Sequence, residues 1–75
     1  MTQQAEHSLI YIVSTHSKSI ATRSVDECLN LASEISFDSG YTVNVNLETD
    51  LGQDLGVVFT AEHGVVRNID GMVLS

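Results

Sequence analysis

The sequence predicts a small α+β protein in which one helix packs against an antiparallel sheet of four or five strands. One stretch has helical periodicity, several short stretches are rich in β-branched residues or alternate between apolar and polar residues, and Gly, Asp or Ser residues separate them. The predicted order is strand, short strand, helix, then three strands. Consecutive strands with short connections pair antiparallel, so the helix would cover one face in a two-layer sandwich.

Before the helix, the strand at Ser8–Thr15 is apolar on both faces, which indicates a central position in the sheet. A polar turn separates it from a short second strand at Ile20–Arg23. The polar start, residues 1–7, predicts a frayed N-terminus without a signal peptide. We therefore expect a single domain over residues 8–75.

The helix is predicted over residues 24–37. Ser24 suits the N-cap, Glu27 completes a capping box, and Gly40 suits the left-handed residue just after the helix. Ser33 and its polar neighbours are expected to face away from the core. The predicted apolar stripe consists of Val25, Cys28, Leu29, Ala32 and Ile35.

After the helix, residues 41–49 alternate between an apolar and a polar face. The stretch at 57–62 is the next strand, His63–Gly64 is a tight turn, and Val65–Ile69 pairs back as a hairpin. The polar face of the alternating strand carries Thr42, Asn44, Asn46 and Glu48.

The charge balance restricts the partners. Ten acidic residues stand against Lys18, Arg23 and Arg67, for a net charge of −7. Such a surface repels nucleic acid and attracts a basic partner at long range, although net charge also keeps small proteins soluble. The longest apolar runs are too short to span a membrane, and the lone Cys28 forms no internal disulfide. We expect a cytoplasmic protein that binds neither nucleic acid nor membrane.

The stretch Asn46–Gly56, NLETDLGQDLG, concentrates three carboxylates and two glycines. It lacks the ligand spacing of an EF-hand. It fits either a turn whose glycines have positive φ and whose leucines pack back onto the protein, or an exposed cluster that meets Lys or Arg of another protein. The candidate protein-binding residues are Glu48, Asp50 and Asp54, followed by Glu27, Glu34 and Asp38.

The histidines and the single cysteine show no pattern typical of a metal site or a catalytic site. His7, His16 and His63 lie near the terminus or in turns without metal-site spacing, and Cys28 lies on the helix stripe. No catalytic motif occurs, so we predict no enzyme activity, cofactor or metal. Most aromatic residues are expected in the core, whereas Tyr41 could lie at a rim as an interaction anchor.

The capped helix, the strand GYTVNVNLET and the hairpin VVFTAEHG give the chain an architecture that resembles small anti-CRISPR proteins of phages and mobile elements, over residues 8–70. The resemblance maps no functional residue. It implies a non-catalytic inhibitor of a CRISPR effector complex, and acidic members of that group occupy basic nucleic-acid channels as phosphate mimics. Such mimicry requires the acids on one face, yet here they are scattered along the chain.

The leading hypothesis is thus a protein-binding module that occludes a basic surface of a nucleic-acid-handling complex. The alternative is a self-associating structural protein, such as a homodimer, that pairs through an open apolar strand such as GVVFT or MVLS.

Overall fold

The computed structural model describes residues 9–74, in which one helix packs on one face of a five-stranded antiparallel sheet. This confirms the predicted fold class. The elements are β1 (Leu9–Ser14), β2 (Ser19–Thr22), α1 (Val25–Ser39), β3 (Val43–Thr49), β4 (Asp54–Glu62) and β5 (Val65–Asn68). The sheet order is β2-β1-β3-β4-β5, so β1 is an interior strand, as its two apolar faces predicted. The frayed terminus predicted for residues 1–7 lies outside the described residues.

The helix begins at a cap that differs from the predicted capping box. The Ser24 hydroxyl accepts the Glu27 N–H at 3.2 Å, as expected for an N-cap. The Glu27 carboxylate instead accepts the Thr22 hydroxyl at 2.6 Å, and the Ser24 N–H donates to the Thr22 hydroxyl oxygen at 3.2 Å. The helix ends at Ser39, two residues later than predicted, where Gly40 has φ 77°.

The central pairing joins β1 to β3, which β2 and the helix separate in the sequence, and places Val13 opposite Val45. Between β3 and β4 the register shifts twice, and Gly56, with φ 97°, lies in the irregular stretch. Strand β4 therefore begins at Asp54, three residues before the predicted start. The interpretation of DLGQDLG as a connection up to Gly56 is wrong, because its last three residues belong to β4, where Asp54 pairs with Glu48.

The core contains small residues packed on the helix side of the sheet. Val25 of the predicted stripe is 40% exposed, and the other four stripe residues are buried or half-buried. The half-buried rings of Tyr11 and Phe59 stack with centroids 6.2 Å apart. The fully buried apolar residues are Val13, Cys28, Ala32, Val43, Val45, Ala61 and Val66.

Two helix serines bind both backbone groups of Gly64, and we call this arrangement the serine clamp. Ser36 is fully buried; its hydroxyl accepts the Gly64 N–H at 2.9 Å and donates to the Ser33 carbonyl at 3.1 Å. The Ser33 hydroxyl donates to the Gly64 carbonyl at 2.7 Å. The prediction that Ser33 faces away from the core is therefore wrong. The clamp ties the helix to the β4–β5 turn, where His63 and Gly64 both have positive φ.

The C-terminal segment folds back along β5. Val73 pairs with Arg67, and the Leu74 N–H donates to the Val66 carbonyl at 2.7 Å. GVVFT lies in β4, between β3 and β5, so the prediction that it is an open edge is wrong. Of the two apolar stretches proposed for self-pairing, MVLS is the one whose described residues, 72–74, lie at the margin of the sheet.

We expect Ser36→Ala to lower the free energy of unfolding by about 1–3 kcal/mol, because the half-buried Gly64 N–H then loses its acceptor. Urea denaturation followed by circular dichroism measures the change. Ser17→Ala is the matched control, since it deletes an exposed hydroxyl at a turn. Equal stability of the two variants would contradict the structural role of the clamp.

Candidate functional site

The β3–β4 hairpin ends in a tightly bonded turn, and we call residues 48–54 the acidic tip. The Gly52 N–H donates to the Thr49 carbonyl at 2.9 Å, and the Thr49 N–H donates to the Gln53 carbonyl at 2.9 Å. The Thr49 hydroxyl also accepts the Gln53 N–H at 3.1 Å. Gly52 has φ 90°, the geometry of a three-residue hairpin loop. Asp50 and Leu51 therefore occupy the corner of a turn fixed by its own hydrogen bonds.

The three leading candidate carboxylates meet at this tip. Glu48 lies directly opposite Asp54 in the β3–β4 register, and Asp50 is exposed in the turn between them. The Asp54 carboxylate accepts the Gly56 N–H at 2.8 Å, which fixes its position. Like charges directly opposite each other destabilise a hairpin. The chain thus carries a local electrostatic cost at the tip.

Leu51 is the apex of the acidic tip. Its side chain is 90% exposed, and that of Leu55 is 47% exposed. The prediction that these leucines pack back onto the protein is therefore wrong for Leu51. An exposed apolar side chain thus lies in the turn beside Asp50, between the strand ends that carry Glu48 and Asp54.

The helix acids form a second group, away from the tip. Glu34 and Asp38 are exposed on the C-terminal half of the helix, whereas Glu27 lies near its start, bonded to Thr22. The serine clamp places the C-terminal half of the helix at the β4–β5 turn, and the acidic tip lies at the opposite end of the strands. The candidate acids therefore do not gather on one face.

The end of the sheet opposite the tip exposes aromatic rings. Tyr41 precedes β3, is 56% exposed and lies 4.4 Å from the His16 ring between centroids. It occupies a rim position, as the sequence suggested. Phe37 is 72% exposed, so the expectation that most aromatic residues lie in the core holds for only two of the four. Phe37 lies outside the predicted apolar stripe and, at about 3.6 residues per turn, on the opposite side of the helix from Cys28, so the helical pattern already indicated its exposure.

Chemistry at the cysteine is disfavoured by its surroundings. Cys28 is fully buried, and burial raises the pKa of its thiol from 9.0 to about 11. It is a neutral thiol at physiological pH, packed as a small apolar side chain. Across residues 9–74, no group of three or more His, Cys, Asp or Glu side chains is arranged to hold a metal ion, and no pocket is present. His16 and His63 lie in turns, as predicted, and His7 lies outside the described residues.

Within the same residues, no helix has both the length and the apolar character needed to cross a membrane. No protein-family model matches the chain, and neither a curated protein nor a solved structure is significantly similar to it.

We expect Glu48→Gln to raise the free energy of unfolding by roughly 0.2–1 kcal/mol at low salt, because it removes the charge opposite Asp54. The gain should shrink at high salt as the repulsion is screened. Thermal denaturation at both salt concentrations measures it, with Asp70→Asn as an exposed control outside the sheet strands. A loss of stability, or a gain insensitive to salt, would contradict repulsion between the two side chains.

Proposed function

We propose that this protein is a non-catalytic binding module that occludes a basic surface of a nucleic-acid-handling complex. The observation that supports this function is the acidic tip, where three carboxylates and the exposed Leu51 lie within residues 48–54 of a hairpin whose turn is fixed by hydrogen bonds. The tip projects from the β3–β4 hairpin, and the β3 side of its base is held by β1, where Ile10 pairs with Glu48 and Leu9 pairs with Thr49.

The tip suits binding for two physical reasons. The hydrogen bonds of Thr49 order the loop before a partner arrives, so less conformational entropy is lost on association. The net charge of −7 attracts a basic surface at long range and speeds encounter, and this attraction weakens with salt. Leu51 then adds apolar contact once the carboxylates have met Lys or Arg.

The proposal includes inhibition of a CRISPR effector or a comparable complex, the class that the architectural resemblance implies. A basic channel that holds nucleic acid is the surface most complementary to the tip. Because the acids lie in two groups rather than on one face, we infer that the tip plugs a local basic site and does not imitate the length of a duplex. Direct binding of nucleic acid is disfavoured by the same charge.

Neutralising the tip should weaken capture of the partner. We compare the wild type with the triple variant Glu48→Gln, Asp50→Asn and Asp54→Asn, and with a control variant of equal charge change, Glu34→Gln, Asp38→Asn and Asp70→Asn. Pull-down from nuclease-treated host lysate, followed by mass spectrometry, identifies the partner. The association rate is then measured with that purified partner at low and high salt, and nuclease activity is measured if the partner is a CRISPR effector.

We expect the tip variant to lose at least tenfold in association rate and the control variant to keep most of it, because nearby charges steer encounter more strongly than distant ones. Equal losses in both variants would mean that net charge alone drives association. Unchanged binding of the tip variant would refute the assignment of the tip.

The alternative function is self-association through the C-terminal margin of the sheet. The observation that favours it is a run of exposed apolar side chains, with Ile69 74%, Met72 63% and Val73 55% exposed. Light scattering separates the two functions. A salt-insensitive dimer that dissociates on Met72→Ser and Val73→Ser would favour self-association, and a monomer would favour the binding module.

A further inference from the structure

Among residues 9–74 the helix covers one face of the sheet, and we call the opposite face the open face. Paired residues on neighbouring strands share a face, and side chains alternate along each strand. Val13, Val45 and Ala61 are buried on the helix side, so their neighbours along each strand lie on the open face. We propose that the open face binds the open face of a second copy of this chain, related by a two-fold axis.

The strand register arranges the open face in three rows that run across the strands, about 6.8 Å apart. We call them the polar row, the middle row and the acidic row. In the middle row Val57 is 42% exposed, whereas Val58, at the register shift, packs on the core. The polar row contains Ser19, Ser14, Asn44, Thr60 and Arg67. The middle row contains Ala21, Ile12, Asn46 and Val57, and the acidic row contains Ile10, Glu48 and Asp54.

The charges decide how two open faces fit together. An axis along β3 would place Glu48 of one copy over Glu48 of the other, where like charges repel. An axis across the strands, through the middle row, instead places the acidic row of each copy over the polar row of the other. Asp54 then lies one strand from Arg67 of the second copy, with about 11 Å between their Cα atoms across sheets packed about 10 Å apart. Extended Arg and Asp side chains span this separation, so each Arg67 meets a carboxylate.

The middle row is complementary to itself about this axis, because each of its residues faces its own copy. Ile12 and Val57 then make apolar contacts. The half-buried Asn46 side chain carries both donors and an acceptor, so two Asn46 amides form a reciprocal hydrogen-bonded pair. Such a polar pair within an apolar contact specifies the alignment of two copies, as a buried asparagine does in a coiled coil. Glu62 and Asp50 approach each other only at the margin, where water and salt screen their charges.

Area and net charge set the strength of the contact. Five strands about 4.8 Å apart and three rows about 6.8 Å apart give a face of roughly 24 by 20 Å, so two copies bury about 1,000 Å² in total. That area is the lower limit for a specific interface, and a charge of −7 on each copy opposes the contact. We therefore expect a reversible dimer with a Kd of roughly 0.1–1 mM. The dimer covers Asp54, so it competes with the binding proposed for the acidic tip.

Sedimentation equilibrium of the purified full-length protein, from about 0.05 to about 2 mM at about 0.15 M salt, measures the dimer. We expect Arg67→Glu and Asp54→Lys each to lower the dimer affinity by about tenfold or more, because each brings like charges together. An equimolar mixture of the two variants should recover the affinity, since the introduced glutamate then meets the introduced lysine. Arg23→Glu and Asp38→Lys make the same charge changes at exposed sites outside the sheet and should dimerise as the wild type does.

A second pair of variants tests the position of the axis. Val57→Lys and Val57→Glu place a charge at an exposed site, so both should fold, and circular dichroism checks that they do. Each variant should repel its own copy, and their equimolar mixture should dimerise, because residue 57 faces residue 57 across the axis. This pair keeps the test decisive if Asp54→Lys unfolds the hairpin by removing the acceptor of the Gly56 N–H.

Three results would overturn the proposal: a wild type that stays monomeric to about 2 mM, folded single variants that dimerise as the wild type does, or mixtures that remain as monomeric as their folded components. A dimer that dissociates on Met72→Ser but not on Arg67→Glu would also overturn it and would place the contact at the C-terminal margin. The experiment uses this protein alone, so its outcome is independent of the binding proposed for the tip.

Discussion

The serine clamp is the contact on which the arrangement of the molecule depends. The core is built from Val, Ala and Cys side chains, so it contains little apolar volume for a domain of marginal size. Within that core the Ser36 hydroxyl is fully buried, and burial of a polar group is costly unless its hydrogen bonds are made. Gly64 supplies its backbone N–H to this hydroxyl and its carbonyl to Ser33. The helix therefore docks where both bonds form, which fixes its C-terminal end at the β4–β5 turn.

That position creates a molecule with two distinct ends. The described residues extend 45 Å along the longest axis. The β3–β4 hairpin carries the acidic tip at one end, and the β1–β2 turn, the β4–β5 turn and the helix C-terminus meet at the other. The fold thus places candidate acids that are dispersed in the sequence in two groups. The tip contains Glu48, Asp50 and Asp54, and the helix group contains Glu34 and Asp38. Substitutions at one end are therefore remote from the other, so the tip acids and the helix acids can be changed separately.

The sequence predicted what is encoded locally. Ser24 and Gly40 set the limits of the helix, and the alternation before Thr49 set the face of β3, because caps and two-residue periods depend on neighbours in the chain. The clustering at the tip was also predictable, since its carboxylates lie within one hairpin. The clamp was not predictable, because the partner of Ser36 lies 28 residues away. The separation of the helix acids from the tip depends on how the strands are arranged, which no local pattern records.

Three features that do not favour the folded state of the isolated chain lie away from the core and the serine clamp. Glu48 faces Asp54 at the tip, Leu51 is exposed at its apex, and Phe37 is exposed at the helix end, while the buried valines and the clamp lie between them. The isolated chain would be more stable with a neutral pair in place of Glu48 and Asp54, with a polar residue in place of Leu51, or with a polar residue in place of Phe37. Because the clamp is distant from the tip, a substitution at the tip should leave the packing of the helix on the sheet intact. The tip variants therefore test the binding that we propose without disturbing the core.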